Sequence, residues 1–203
     1  MKLYLLPFLL VLLMFSNLSC SQNISEDFQN SSEDLKIIHD KFEYKNKHID
    51  PKLLQEFLPW LSDGGSIVTS VNIAVAYGTD EYSDYNGKIT ENNGAVRFTY
   101  DSGNYTEYEW LGTLDNDIHL LTITQGGGGT GRFNDLMLVN FDINPKKQDR
   151  NLNMNIVGLY PLGDRMKYEI TTYKNKIFVE NELYKNNKLV LKCKKDYCFE
   201  VKK

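Results

Sequence analysis

Residues 95–110 read AVRFTYDSGNYTEYEW. Val96, Phe98 and Tyr100 fall at every second position, the period of a half-buried strand. Ser102-Gly103-Asn104 supplies a three-residue hairpin loop, with glycine available for a positive φ. Centred there, the hairpin sets Phe98 opposite Tyr108 and Val96 opposite Trp110. Both strands then offer aromatic or branched side chains to one core. The short turn makes the strands antiparallel neighbours.

The same pattern extends in both directions. Ile67, Val71, Ile73, Val75 and Tyr77 share one face at period two. Leu136 to Phe141 is apolar on both faces, as a central strand is. Leu152, Met154 and Ile156 alternate with Asn151, Asn153 and Asn155, the mark of a half-exposed strand. Hairpins are expected around Asn175, Asn186-Asn187 and Lys195-Asp196. A helix is predicted after Asp50, which can cap it, with Pro51 in its first turn. Leu53, Leu54, Phe57, Leu58 and Leu61 form its apolar face, and Asp63-Gly64-Gly65 ends it. Strands do not alternate with helices, which argues against a doubly wound α/β fold. The predicted fold is mostly β: an antiparallel sandwich or partly open barrel of about nine to ten strands with one N-terminal helix.

The 203 residues, 41% of them hydrophobic, carry a formal net charge of −4. That composition belongs to a globular chain. An acidic balance argues against nucleic acid as a partner, since a phosphate backbone is held by surplus Lys and Arg. Three cysteines and three histidines leave little material for a metal site, so no metal and no cofactor are expected.

Leu3 to Phe15 is an apolar run behind Lys2, too short to span a bilayer as a helix and of signal-peptide length. Ser16-Asn17-Leu18-Ser19 and then Cys20 follow. This segment resembles the lipobox of bacterial lipoproteins, with Asn17 at the place the family usually gives to leucine. The resemblance implies a signal peptide over 1–19, lipidation of Cys20, and anchoring in the bacterial cell envelope, at the outer membrane or in the periplasm. Residues 20–34 are polar and acidic and read as a flexible tether; 35–203 read as a single β-rich domain. Removing Cys20 from the count leaves Cys193 and Cys198. Their even number in an oxidising compartment predicts a disulfide. Alternation opposes it, because that pairing sets Leu191 against Glu200 unless a bulge intervenes.

Chemical motifs are sparse. Gly126 to Gly131 satisfies G-x-G-x-x-G, but a strand is expected after it where a dinucleotide site needs a helix start. The run reads as a hairpin loop, whose amides beside Arg132 offer a place for an anion. Asp80, Glu81, Asp84 and Asn86 before Gly87 do not match the spacing of a calcium loop and read as a solvated turn. Glu107 and Glu109 share a strand face and read as solvent-facing. Asp117 stands two residues before His119 and could orient it, yet no serine is marked as a nucleophile. Among the aromatics, Phe98, Tyr108 and Trp110 are assigned to the core. Tyr82, Tyr85 and Tyr105, with Arg132, are the candidate ligand contacts.

Gly129-Thr130-Gly131-Arg132-Phe133, the apolar strand after it, and Leu162-Gly163-Asp164-Arg165 are together similar to a domain of exported bacterial proteins of unknown function. That domain has a G-S/T-G-x-F segment and an L-G-D-R turn, and the likeness covers residues 125–182. It implies export and a β fold, and nothing catalytic. The functional expectation is a lipid-anchored envelope protein whose non-catalytic β domain binds a small ligand, a glycan or another envelope protein. An envelope hydrolase using acidic residues, and an immunity or inhibitor protein, are the alternatives.

Overall fold

In a computed structural model, the described residues are 32–58, 68–77, 86–127, 129–143, 152–182 and 188–201. A helix, α1, covers 32–41 and so begins inside the segment expected to be a tether. It is followed by a two-stranded hairpin, β1 (Glu43–Tyr44) and β2 (Lys47–His48), then α2 (Pro51–Gln55), β3 (Ser70–Asn72) and α3 (Ile73–Ala76). The long strands come next: β4 (Gly87–Asn92), β5 (Ala95–Tyr100), β6 (Tyr105–Thr113), β7 (His119–Gly126), β8 (Arg132–Ile143) and β9 (Leu152–Asp164). Four shorter ones close the chain: β10 (Tyr168–Tyr173), β11 (Lys176–Asn181), β12 (Leu189–Lys194) and β13 (Tyr197–Glu200).

The protein is mostly β and antiparallel; among the described residues there are thirteen strands rather than nine or ten and three short helices rather than one. Besides the β1-β2 pair, one sheet has the order β3-β9-β8-β7-β6-β5-β4 and curls into half a barrel, and another has the order β10-β11-β12-β13. Register shifts between Trp110 and Gly112, and twice along β8–β9, supply bulges that bend the large sheet. All eight residues of β7 are buried, which requires cover on both faces. On one face, Ile38, Phe42, Ile49, Leu53 and Leu54 from the N-terminal elements pack on Val96, Tyr108, Ile123 and Met137. On the other, Ile177, Val179, Leu189 and Leu191 of the small sheet pack on Leu120, Leu136, Leu138 and Leu162. The large sheet is therefore the middle of three layers.

Three local expectations need correction. In the β5–β6 hairpin, Val96 faces Tyr108 and Phe98 faces Thr106, a shift of two residues from the expected register. The Tyr100 N–H bonds to the Asn104 carbonyl at 2.8 Å, so the loop is Asp101-Ser102-Gly103. Gly103, at φ +85°, holds the left-handed position that closes such a loop. A shift of two preserves the face, so Phe98 and Tyr108 stay buried. Trp110 is half-buried against the core that holds Tyr108, where it stacks on Phe42; Phe98 is buried outside that core.

Next, Ile73 to Tyr77 does not continue a strand. The Asn72 side chain accepts the Val75 N–H at 3.0 Å and caps α3, which leaves Val75 exposed. The helix after Asp50 is also shorter than expected. Asp50 caps it through the Lys52 N–H, but after Gln55 it passes into turns at Phe57 and Leu58. Leu61, Asp63 and both glycines of the expected stop lie outside the described residues.

Candidate ligand site

At one end of the large sheet the register aligns Tyr105 of β6, Gly126 of β7 and Arg132 of β8. Tyr105 is half-buried and Arg132 exposed. A Cβ on Gly126 would come within 2.1 Å of Tyr105 Cε1, so a glycine there lets the ring lie against the strand. The Arg97 guanidinium sits 4.1 Å over the ring's centre. Arg97 Nε donates to Glu107 Oε2 at 2.7 Å, and Arg132 Nη2 approaches Glu107 Oε1 at 3.5 Å. Two of the four residues proposed as ligand contacts thus lie at one sheet end, linked through Arg97: it covers the Tyr105 ring and shares the Glu107 carboxylate with Arg132. The other two, Tyr82 and Tyr85, lie outside the described residues, as do Cys20 and the acidic residues Asp80, Glu81 and Asp84.

Beside Tyr105 a cavity of about 290 Å³ opens between α2 and the β5–β6 hairpin. Gln55, Tyr100, Thr106 and Gln125 line it with Tyr105 and the glycines. Gln55 Oε1 accepts from both the Tyr100 hydroxyl and Thr106 Oγ1, the latter at 2.9 Å. Gln125 is only 8% exposed, and its side-chain oxygen, fully buried, has no hydrogen-bond partner. A buried acceptor left unmatched costs about 1–3 kcal/mol. Nothing in the sequence singled out Gln55 or Gln125. An amide in a strand or a short helix looks like any other surface residue until its surroundings are known.

The remaining chemical candidates fall elsewhere. Gly126 ends β7 and Arg132 begins β8, so a strand does follow the glycine run; Gly128 lies outside the described residues. Glu107 is held by two arginines, and Glu109 is exposed. Asp117 does not orient His119. It lies 3.3 Å from His39, while His119 is buried with its Nδ1 3.3 Å from Thr113 Oγ1. Burial, aided by the nearby His39, lowers the His119 pKa to about 3, the behaviour of a core imidazole kept neutral. Burial pushes the Asp135 carboxyl the other way, up to about 6.

Cys193 and Cys198 are joined by a disulfide across the β12–β13 hairpin. Leu191 does face Glu200, without a bulge: Leu191 turns into the core and Glu200, on the edge strand, stays in solvent. Among the described residues no group of His, Cys, Asp or Glu side chains is placed to hold a metal ion. No described helix is long and apolar enough to cross a membrane. The chain matches no protein-family model, no curated protein and no solved structure.

Proposed function

We propose that this is a lipid-anchored protein of the bacterial envelope whose β domain binds a small ligand of the glycan class without transforming it. The observation that carries the reading is the cavity beside Tyr105, with the amide side chains of Gln55 and Gln125 in its wall. The hydroxyl and acetamido groups of a sugar pair with amides of this kind. The other lining groups suit the same chemistry. Tyr100 and Tyr105 offer rings with polar tips, and Gln55, Thr106, Ser102 and Asn104 offer amides and hydroxyls. Among the described lining residues there is no carboxylate, the group on which a hydrolase using acidic residues would rely. That favours a binding module over the hydrolase alternative.

The anchor rests on the leader and on Cys20, read from the sequence. Cys20→Ser is expected to move the protein from the membrane fraction to the soluble envelope fraction; equal retention of both forms would refute lipidation. For the cavity, calorimetric titration with neutral and N-acetylated disaccharides is expected to show saturable binding. Gln125→Leu, which leaves no donor or acceptor at that position, is expected to abolish it with the fold retained. No binding by any of these sugars, or binding indifferent to Gln125→Leu, would refute the assignment.

A further inference from the structure

The small sheet has a second face, turned away from the core. Its register can be read row by row. Tyr173, Lys176, Lys192 and Phe199 stand abreast across β10, β11, β12 and β13. Beside that row Lys194 stands opposite Tyr197; on its other side lie Thr171, Phe178, Val190 and Val201. Three aromatics here are exposed beyond what a sheet edge needs: Tyr173 at 64%, Tyr197 at 48% and Phe199 at 40%. Lys174 lies 5.6 Å from the Tyr173 ring and Lys194 lies 5.3 Å from the Tyr197 ring. Among the described residues the first strand carboxylates on this face, Glu169 and Glu180, are two rows from Lys176 and Lys192, about 13 Å along the strands. Asp196, in the β12–β13 turn, adjoins Lys195. A chain with net charge −4 thus gathers lysines and aromatic rings at one end of one face.

We propose that this face lies against a bilayer surface containing anionic lipid. The pairing of residue types selects that occupant. Lysines are drawn to anionic headgroups, and Tyr and Phe rings find the interfacial layer favourable. A hydrated polyanion would satisfy the lysines but leave Phe199 and Val201 in water. A second copy of the same face would bring lysines against lysines. The proposal is independent of the glycan cavity, which is built on the other sheet, and of a lipid on Cys20.

The test uses the chain from Ser21 onward, which keeps every described element and both cores but has no acyl group and no apolar leader. It is sedimented with vesicles of phosphatidylcholine alone and with vesicles containing about one-third phosphatidylglycerol. Binding is expected only to the anionic vesicles and is expected to weaken as salt is raised. The triple variant Lys176→Gln/Lys192→Gln/Lys194→Gln is expected to bind about a hundredfold more weakly, at roughly one kcal/mol per lysine near the surface. The double variant Tyr197→Ser/Phe199→Ser is expected to lose binding with its lysines intact. Far-ultraviolet dichroism is expected to stay unchanged in both variants, since all five side chains are exposed. Equal binding to both vesicle types, binding that survives both variants, or capture by dextran sulfate with no vesicle binding would each overturn the proposal.

Discussion

The backbone N–H of Arg132 donates to a carboxylate oxygen of Asp164 at 2.9 Å, and the Arg165 N–H returns a bond to the Arg132 carbonyl at the same distance. The Gly-Thr-Gly-Arg-Phe segment and the Leu-Gly-Asp-Arg turn are therefore one structure, the shared end of β8 and β9. Gly163 at φ +104° and Arg165 at φ +54° shape the turn, and Arg165 Nε lies 3.3 Å from Asp164. The motif residues that stand apart in the chain serve to close a strand end beside the exposed Arg132 side chain.

That relationship sets the first prediction. The Arg132 N–H, with the Arg165 guanidinium, holds the Asp164 carboxyl below its ordinary 3.8. A carboxylate with a depressed pKa contributes its stabilisation above the unfolded value and loses it as the pH falls through the folded one. Protection of the Arg132 amide, its exchange rate set against the free-chain rate at the same pH, is expected to be high at neutral pH and to fall below pH 3.8, as Asp164 protonates. Asp164→Ala is expected to show low protection at every pH. Unchanged protection in that variant would show that the bond does not hold the turn.

Tyr108 tests the packing of the N-terminal elements on the sheet. Its ring meets Phe42 edge-on in the core, and its hydroxyl donates to the Ile49 carbonyl at 2.7 Å. Tyr108→Phe leaves that carbonyl unmatched and is expected to cost about 1–3 kcal/mol. Tyr108→Ala is expected to cost about 3–5 kcal/mol, as for other large buried aromatics. Urea midpoints at constant slope measure both. A phenylalanine variant as stable as the parent would place that carbonyl in water.

Gly126 and Gly127 make a matched pair. A methyl group on Gly126 must push the Tyr105 ring aside, whereas nothing lies within 4 Å of one on Gly127. Gly126→Ala is expected to lose about 1–3 kcal/mol by overpacking and to weaken disaccharide binding. Gly127→Ala is expected to stay within about 0.5 kcal/mol of the parent. Thermal unfolding and titration of both variants check this; equal behaviour would mean that Tyr105 does not rest on the strand.

Two buried groups pull stability in opposite directions with pH. His119, with a folded pKa near 3 against an ordinary 6.5, leaves the unfolded chain holding the extra proton between those values. Its contribution therefore falls as pH drops, by up to about 1.4 kcal/mol per pH unit. Asp135, near 6 against an ordinary 3.8, leaves the folded chain holding the extra proton, so its contribution falls as pH rises across that window. The two oppose each other between those Asp135 values. His119→Gln is expected to leave a stability that declines toward pH 6, and Asp135→Asn one that declines toward pH 4. Denaturant midpoints of the two variants across that range should diverge; parallel profiles would contradict the opposition.

The β class and the inward faces of β5, β6 and the start of β9 were legible because both depend on local alternation. Val96, Phe98 and Tyr108 remain on the buried face even though the loop was misplaced, since a shift of two residues keeps the parity of a strand. Ile73 and Tyr77 were not decidable that way. They are four apart, so they share a helix face as readily as a strand face, and the Asn72 cap turns the segment into a helix. Tyr105 and Arg132 could be picked out as side chains suited to binding, but only the alignment of β6, β7 and β8 brings them to one sheet end.

By itself the sequence determined the strand-rich body, the acidic balance and the inward face of β5, β6 and the first half of β9. Those are properties of residue type and of spacing over a few positions. The tertiary structure alone decided that β7 is covered on both faces, that Gln55 and Gln125 meet in one cavity, and that lysines and rings from β10 to β13 share an outer face. Whether a polar atom finds a partner depends on which distant strand lies beside it, and local spacing carries no information about that neighbour.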